Sequence, residues 1–218
     1  MSVHDHDHPH DHDHDHAPIS DGDGPISRFE LLETAIRELL IEKGLFSGAD
    51  VQAQIDATES RNTAFGADLI AKAWTDPDFK DNLIANPRAT LGEMGIDVGP
   101  IAELQVVENT SDLHHVVVCT LCSCYPRMLL GVPPAWYKST AYRSRVVKDP
   151  RGVLREFGMD LPDTTKVRVL DSTADLRFLV IPRRPQDTET FDTAALAGLV
   201  TRDSMIGTGQ ALPAKERQ

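Results

Sequence analysis

The run His115-Val116-Val117-Val118-Cys119 constrains the fold of this chain more than any other: consecutive β-branched residues with no polar alternation predict a strand buried on both faces. Such a strand needs cover above and below, so a layered domain of helices and strands is expected around it. It also fixes where the chemistry falls. From its last residue the chain reads Cys119-Thr120-Leu121-Cys122-Ser123-Cys124-Tyr125-Pro126-Arg127, and its three cysteines are the only ones in 218 residues.

A chain of this length buries enough core to need no disulfide staple. The number of cysteines is odd and their i, i+3, i+5 spacing is too tight for a cross-link framework. The cluster therefore reads as chemistry or metal in a reducing compartment, with the cytoplasm as the expected address. A closed zinc site would need a second pair of ligands, and there is none. His114 and His115 are near in sequence, but on a strand they point to opposite faces and away from the following loop. A thioredoxin-like C-x-x-C would open a helix, whereas here a third cysteine and Pro126 intervene. Sulfurs at i, i+3 and i+5 can instead wrap one ion on a single face. The backbone amides of Ser123 and Cys124 would lie beside it as two further donors, making a five-ligand claw with one open position. Deprotonated amides demand a strongly Lewis-acidic ion, and thiolates prefer transition metals to calcium or magnesium. The open position is where catalysis would take place.

The rest of the chain divides by pattern. Residues 1–26 carry His and Asp in alternation from His4 to His16 and then a Gly/Asp/Pro stretch, with too little apolar content to fold. Seven of the nine histidines lie there, so the tract is either a loose metal-gathering tail or an inert one. A helical arm is expected over 27–98. It opens with a Ser27-x-x-Glu30 capping box ahead of Phe29, Leu32, Ile36, Leu39 and Leu40, and Gly44 stops the first helix. Further helices are expected over 49–61, 64–75 and, from the Asp76-Pro77 start, to Ala85. An α/β metal-binding domain follows over 99–210, with a flexible end at 211–218, for an α+β chain. Its strands are read at 103–108, 115–119, 166–171 and 177–181, the last two joined by a hairpin-length Ser172-Thr173-Ala174-Asp175 loop. Helices are read at 135–147, 150–157 and 193–202. The formal charge of −12 argues against nucleic acid or an anionic membrane as partner. The one basic concentration, Arg143, Arg145, Lys148, Arg151 and Arg155, reads as a solvated or subunit-facing surface. No apolar run approaches the roughly 20 residues of a spanning helix, and no signal peptide is evident.

The motif Val118-Cys-Thr-Leu-Cys-Ser-Cys-Tyr125, with Leu129-Leu-Gly-Val-Pro-Pro-Ala-Trp-Tyr-Lys-Ser139, Tyr142-Arg-Ser-Arg-Val-Val-Lys-Asp-Pro-Arg151, Val167-Arg-Val-Leu-Asp-Ser-Thr-Ala-Asp-Leu-Arg-Phe-Leu-Val-Ile-Pro182 and Val200-Thr-Arg-Asp-Ser-Met-Ile-Gly207, resembles the α subunit of nitrile hydratase, from about Phe29 to Gly207. The metal-binding γ subunit of thiocyanate hydrolase is a close relative sharing the claw. The resemblance implies that Cys119, Cys122 and Cys124 are thiolate ligands and that Ser123 and Cys124 add their amide nitrogens. It implies that Cys122 is oxidised to a sulfinic and Cys124 to a sulfenic acid. Thr120 and Tyr125 match the cobalt branch, which implies one low-spin, non-corrin Co(III) per chain in preference to iron. It implies hydration of small nitriles to amides on a Lewis-acid metal, with the sulfenate oxygen of Cys124 or an activated water as nucleophile. A β subunit, contributing two arginines to the oxidised sulfurs in an αβ or α2β2 assembly, and an activator or metallochaperone are the implied partners. Arg127 departs from the tryptophan common in nitrile hydratases and matches the thiocyanate enzyme. It is the candidate substrate-binding residue, unless it only contacts the partner. Trp136 and Tyr137 read as interface or core aromatics and Asp203 as a structural turn carboxylate. A non-catalytic metal carrier built around the His/Asp tract is the reading from another class.

Overall fold

The computed structural model describes residues 28–59, 62–96, 102–122 and 124–214. The chain divides after Val51 into two compact units. In the first, α1 spans Arg28–Glu42. Gly44 at φ 69° turns the chain out of the helix, and the Leu45 amide returns to the Leu40 carbonyl at 3.1 Å. Ser27, the expected cap, lies outside the described residues, as does the His/Asp tract. No residue of α1 is buried; Phe29, Leu32, Ile36 and Leu39 all stand exposed. The next helix, α2 (Gly48–Glu59), starts where Ser47 and Asp50 cap one another, the Asp50 amide donating to Ser47 Oγ at 3.2 Å and the Ser47 amide to Asp50 Oδ2 at 2.8 Å.

In the second unit, α3 (Thr63–Thr75) is capped by Asn62 and supplies the buried Leu69 and Ile70. Asp76 then accepts from the Phe79 amide at 2.9 Å, with Pro77 at the first position, and starts α4 (Pro77–Ala85). A short α5 (Pro87–Glu93), which the sequence reading did not include, repeats the X-Pro start. Strands β1 (Glu103–Glu108) and β2 (Leu113–Val118) follow, and β2 is buried at every position after Leu113, as its β-branched run required. Four short helices come next: α6 (Arg127–Leu130), α7 (Ala135–Lys138), α8 (Thr140–Val146) and α9 (Pro150–Glu156). Then β3 (Lys166–Asp171) and β4 (Leu176–Ile181) lead to α10 (Thr193–Ala197) and α11 (Arg202–Met205). Helices and short sheets together make the α+β chain expected.

Three expectations are corrected. The strands flanking Ser172–Asp175 do not form a hairpin. Instead β1 pairs with β4 and β2 with β3, both in parallel. The four-residue connection carries the chain from one sheet to the other, the Ser172 amide still bonding Val118 O at 2.6 Å while Thr173 already bonds Leu176 O. The helix expected over 135–147 breaks at Ser139, whose extended backbone (φ −64°, ψ 141°) and hydroxyl cap α8 through the Tyr142 amide. The helix expected over 193–202 ends before Gly198, and a Thr201/Ser204 capping box starts α11 anew. The turn after α11 lies on β2: the Val117 amide donates to Ile206 O at 2.9 Å.

Candidate metal centre

Because β2 and β3 are parallel and in register, Val118 against Asp171, both deliver their carboxyl ends to one place. That is where open parallel sheets present ligands. The cysteine loop leaves β2 there. Cys119 is fully buried, Cys124 nearly so, and Cys122 lies exposed between them. The sulfurs of Cys119 and Cys122 are 3.3 Å apart, those of Cys122 and Cys124 3.0 Å, and all three lie within 4.8 Å of one another. The Cys122 amide donates to the Cys119 sulfur at 3.2 Å. Three convergent sulfurs make a soft donor set, which fits a transition metal and does not fit calcium or magnesium. Burial, and then hydrogen bonds from Cys122 and Cys119, push the Cys124 thiol up to about 12. Binding an ion there must therefore displace a proton from this sulfur. Ser123 lies outside the described residues.

The loop is held from outside by Asp171, to which the sequence reading assigned no role, and by Arg143 of the basic concentration. Asp171 accepts from the Thr120 amide at 2.9 Å and from its hydroxyl at 2.6 Å. Arg143 donates to Thr120 O at 3.3 Å, and Arg151 to the carbonyls of Leu161, Pro162 and Thr165. Of the basic residues read as a solvated or subunit-facing surface, Arg143 and Arg151 thus hold backbone carbonyls, while Arg145 pairs with Glu156 at the exposed surface. A carboxylate at the carboxyl end of a strand parallel to β2 was the one available signal for Asp171, and it needs the strand pairing to be read.

Trp136, Tyr137 and Tyr142 form an edge-to-face cluster with Phe157, in keeping with the core reading of the first two. Asp203 bonds the turn after α11, but it is its main-chain carbonyl, and not the carboxylate expected, that accepts from the amides of Thr208 and Gly209. Arg127 opens α6, exposed, three residues past Cys124. His114 and His115 are both buried away from the loop, at the other end of β2. There Asn109 Oδ1 meets the His115 amide and Nδ1, Asn109 Nδ2 meets His114 Nδ1, and His114 Nε2 meets Gly207 O at 2.7 Å. A cavity of about 520 Å³ adjoins that end, lined by Asn109, His114 and Arg184 among others.

A chain that gathers three cysteine sulfurs in one loop at the carboxyl end of a parallel strand pair is of the cysteine-claw metal-binding class. The family model for the nitrile hydratase alpha chain matches residues 27–209, and the chain belongs to that family, which makes it a subunit of an enzyme. It is 46% identical over 192 residues to the high-molecular weight cobalt-containing nitrile hydratase subunit alpha of Rhodococcus rhodochrous, covering 87% of this chain and 95% of that one. It is 43% identical over 199 residues to the thiocyanate hydrolase subunit gamma of Thiobacillus thioparus, covering 86% and 82%. A solved structure of a double mutant of the Fe-type nitrile hydratase from Comamonas testosteroni Ni1 superposes with a TM-score of 0.79 at 40% identity, over 87% of this chain and 96% of that one.

Proposed function

We propose that this chain is the metal-bearing α subunit of a cobalt-type nitrile hydratase, a hydro-lyase that adds water across the C≡N bond of a small nitrile to give an amide. The observation that carries the reading is the convergence of the three cysteine sulfurs in a chain of this family. The thiolates of Cys119, Cys122 and Cys124, with the amide nitrogens of Ser123 and Cys124, would hold one non-corrin cobalt(III). When bound, that ion would supply Lewis acidity to polarise the nitrile. Buried Cys119 anchors the loop to β2, while Asp171 and Arg143 fix Thr120 between them. Cys124 is the catalytic residue, as a sulfenic acid beside a sulfinic Cys122, and both are acceptors suited to charge-assisted bonds from arginines of a β subunit. The exposed apolar positions of α1 support an arm that lies against that subunit, in an αβ or α2β2 assembly matured by an activator. No described helix is long and apolar enough to cross a membrane.

A second reading, the metal-binding subunit of a thiocyanate hydrolase, is favoured by Arg127: an exposed cation three residues past Cys124 suits an anionic substrate. Co-expression with the β partner in cobalt medium tests both, by assaying amide formation from acrylonitrile beside release of ammonia and carbonyl sulfide from thiocyanate. Amide formation is the expected result, and turnover of thiocyanate alone would replace the first reading with the second. Cys124→Ser should abolish activity. One cobalt held per αβ unit against a chelator separates both from a mere metal carrier, whose ion would exchange freely.

A further inference from the structure

Two tyrosines hold main-chain carbonyls on either side of the claw. Tyr142 Oη donates to Val117 O at 2.7 Å, and Tyr137 Oη to Cys124 O at 2.9 Å. The two bonds are alike in chemistry and differ in what else secures the acceptor. Val117 lies within β2, in register with Leu170 on β3 and bonded through its amide to Ile206. Cys124 lies beyond the ladder, after the strand has ended. The Tyr137 ring is fully buried, edge-on to Tyr125 at 5.1 Å between centroids and to Trp136 at 6.0 Å. Packing therefore fixes the ring first, and the hydroxyl position follows from it.

We propose that Tyr137 is a positioning residue for the metal centre: its hydroxyl holds the Cys124 carbonyl and so sets the main-chain orientation from which the Cys124 sulfur projects. This rests on the reading of the loop as a metal claw. Removing the hydroxyl leaves a nearly buried carbonyl without its donor and lets the Cys124 end of the loop rotate. The loss is local, because Asp171 and Arg143 hold the Thr120 end independently.

Tyr137→Phe keeps the ring and its packing, and Tyr142→Phe serves as a control matched in chemistry. In the metal-free full chain, alkylation by iodoacetamide is followed at each cysteine by mass spectrometry. Loss of one buried hydrogen bond corresponds to about a tenfold change in an equilibrium. Cys124 in Tyr137→Phe should accordingly react about tenfold faster than in the parent chain, while Cys122 is unchanged and Tyr142→Phe leaves Cys124 at the parent rate. In the cobalt-loaded αβ complex, Tyr137→Phe should likewise lose metal to EDTA about tenfold faster. An unaltered Cys124 rate in Tyr137→Phe would overturn the proposal, and so would an equal rise in Tyr142→Phe. If the parent complex retains no cobalt, the functional reading fails, and the alkylation comparison still decides the role of Tyr137.

Discussion

The carboxylate of Asp171, the last residue of β3, grips Thr120 twice, through the amide at 2.9 Å and the hydroxyl at 2.6 Å, across 51 residues of sequence. Bonds to a charged acceptor are the stronger kind. Asp171→Ala should lower unfolding free energy by about 1.5–3 kcal/mol and, on the proposed function, reduce the metal content of the complex purified with its partner subunit. Thr120→Val, which loses only the hydroxyl bond, should do less of both. Urea denaturation and elemental analysis measure the two quantities. Full metal occupancy in Asp171→Ala would mean the latch is not needed to form the site.

The His114–Asn109–His115 network should make stability depend on pH. Asn109 Oδ1 is committed to His115, so its amide nitrogen faces His114 Nδ1, which must accept, leaving His114 Nε2 to donate to Gly207 O. That pattern exists only for a neutral ring. Burial lowers the pKa of both imidazoles, and Arg168, opposite His115 in the ladder, lowers His115 further. A lowered folded-state value means the unfolded chain binds the proton more readily. The stabilisation is therefore fully present above the ordinary value of 6.5 and lost as pH falls below it. Calorimetry should show the melting temperature falling between about pH 7.5 and about pH 5.5, with a shallower fall in His114→Gln. An identical slope in that variant would remove His114 from the account.

Gly207 and Gly95 both have positive φ, 78° and 73°. A β-carbon on Gly207 would lie 1.8 Å from His115 O, whereas one on Gly95 would meet nothing within 4 Å. Gly95→Ala should cost about 1 kcal/mol from backbone strain alone. Gly207→Ala should cost at least about 3 kcal/mol, because the turn must leave β2. Equal costs by chemical denaturation would show that the close approach relaxes freely.

On α1, Leu32 and Ile36 are about half exposed. Replacing either with Glu should change the stability of the isolated chain by less than about 0.5 kcal/mol. Co-purification with the β subunit should weaken markedly, as a pull-down would show. Undiminished pairing would place the interface elsewhere.

Much of the local structure was legible because its causes are local. Asp76-Pro77 and Asp149-Pro150 start α4 and α9, and the β-branched runs give β1 and β3 at their full extents. Ser139 misled because a serine in a helical pattern can stay in register or cap a new helix. Tertiary packing chose the second, turning Tyr142 inward to the Val117 carbonyl.

The sequence by itself determined the candidate donors: three cysteines at i, i+3 and i+5 after a doubly buried strand, within motifs enough to show the family. Donor identity and spacing are properties of neighbouring residues, so no long-range contact is needed to read them. Only the tertiary structure decided what holds those donors. The Ser172–Asp175 loop is as short as a hairpin turn, and nothing within it tells whether β3 and β4 pair with each other or with strands far back in the chain. Burying β2 on both faces settles the pairing in favour of two parallel sheets. That choice carries Asp171 to Thr120, as the packing of α7 carries Tyr137 to Cys124.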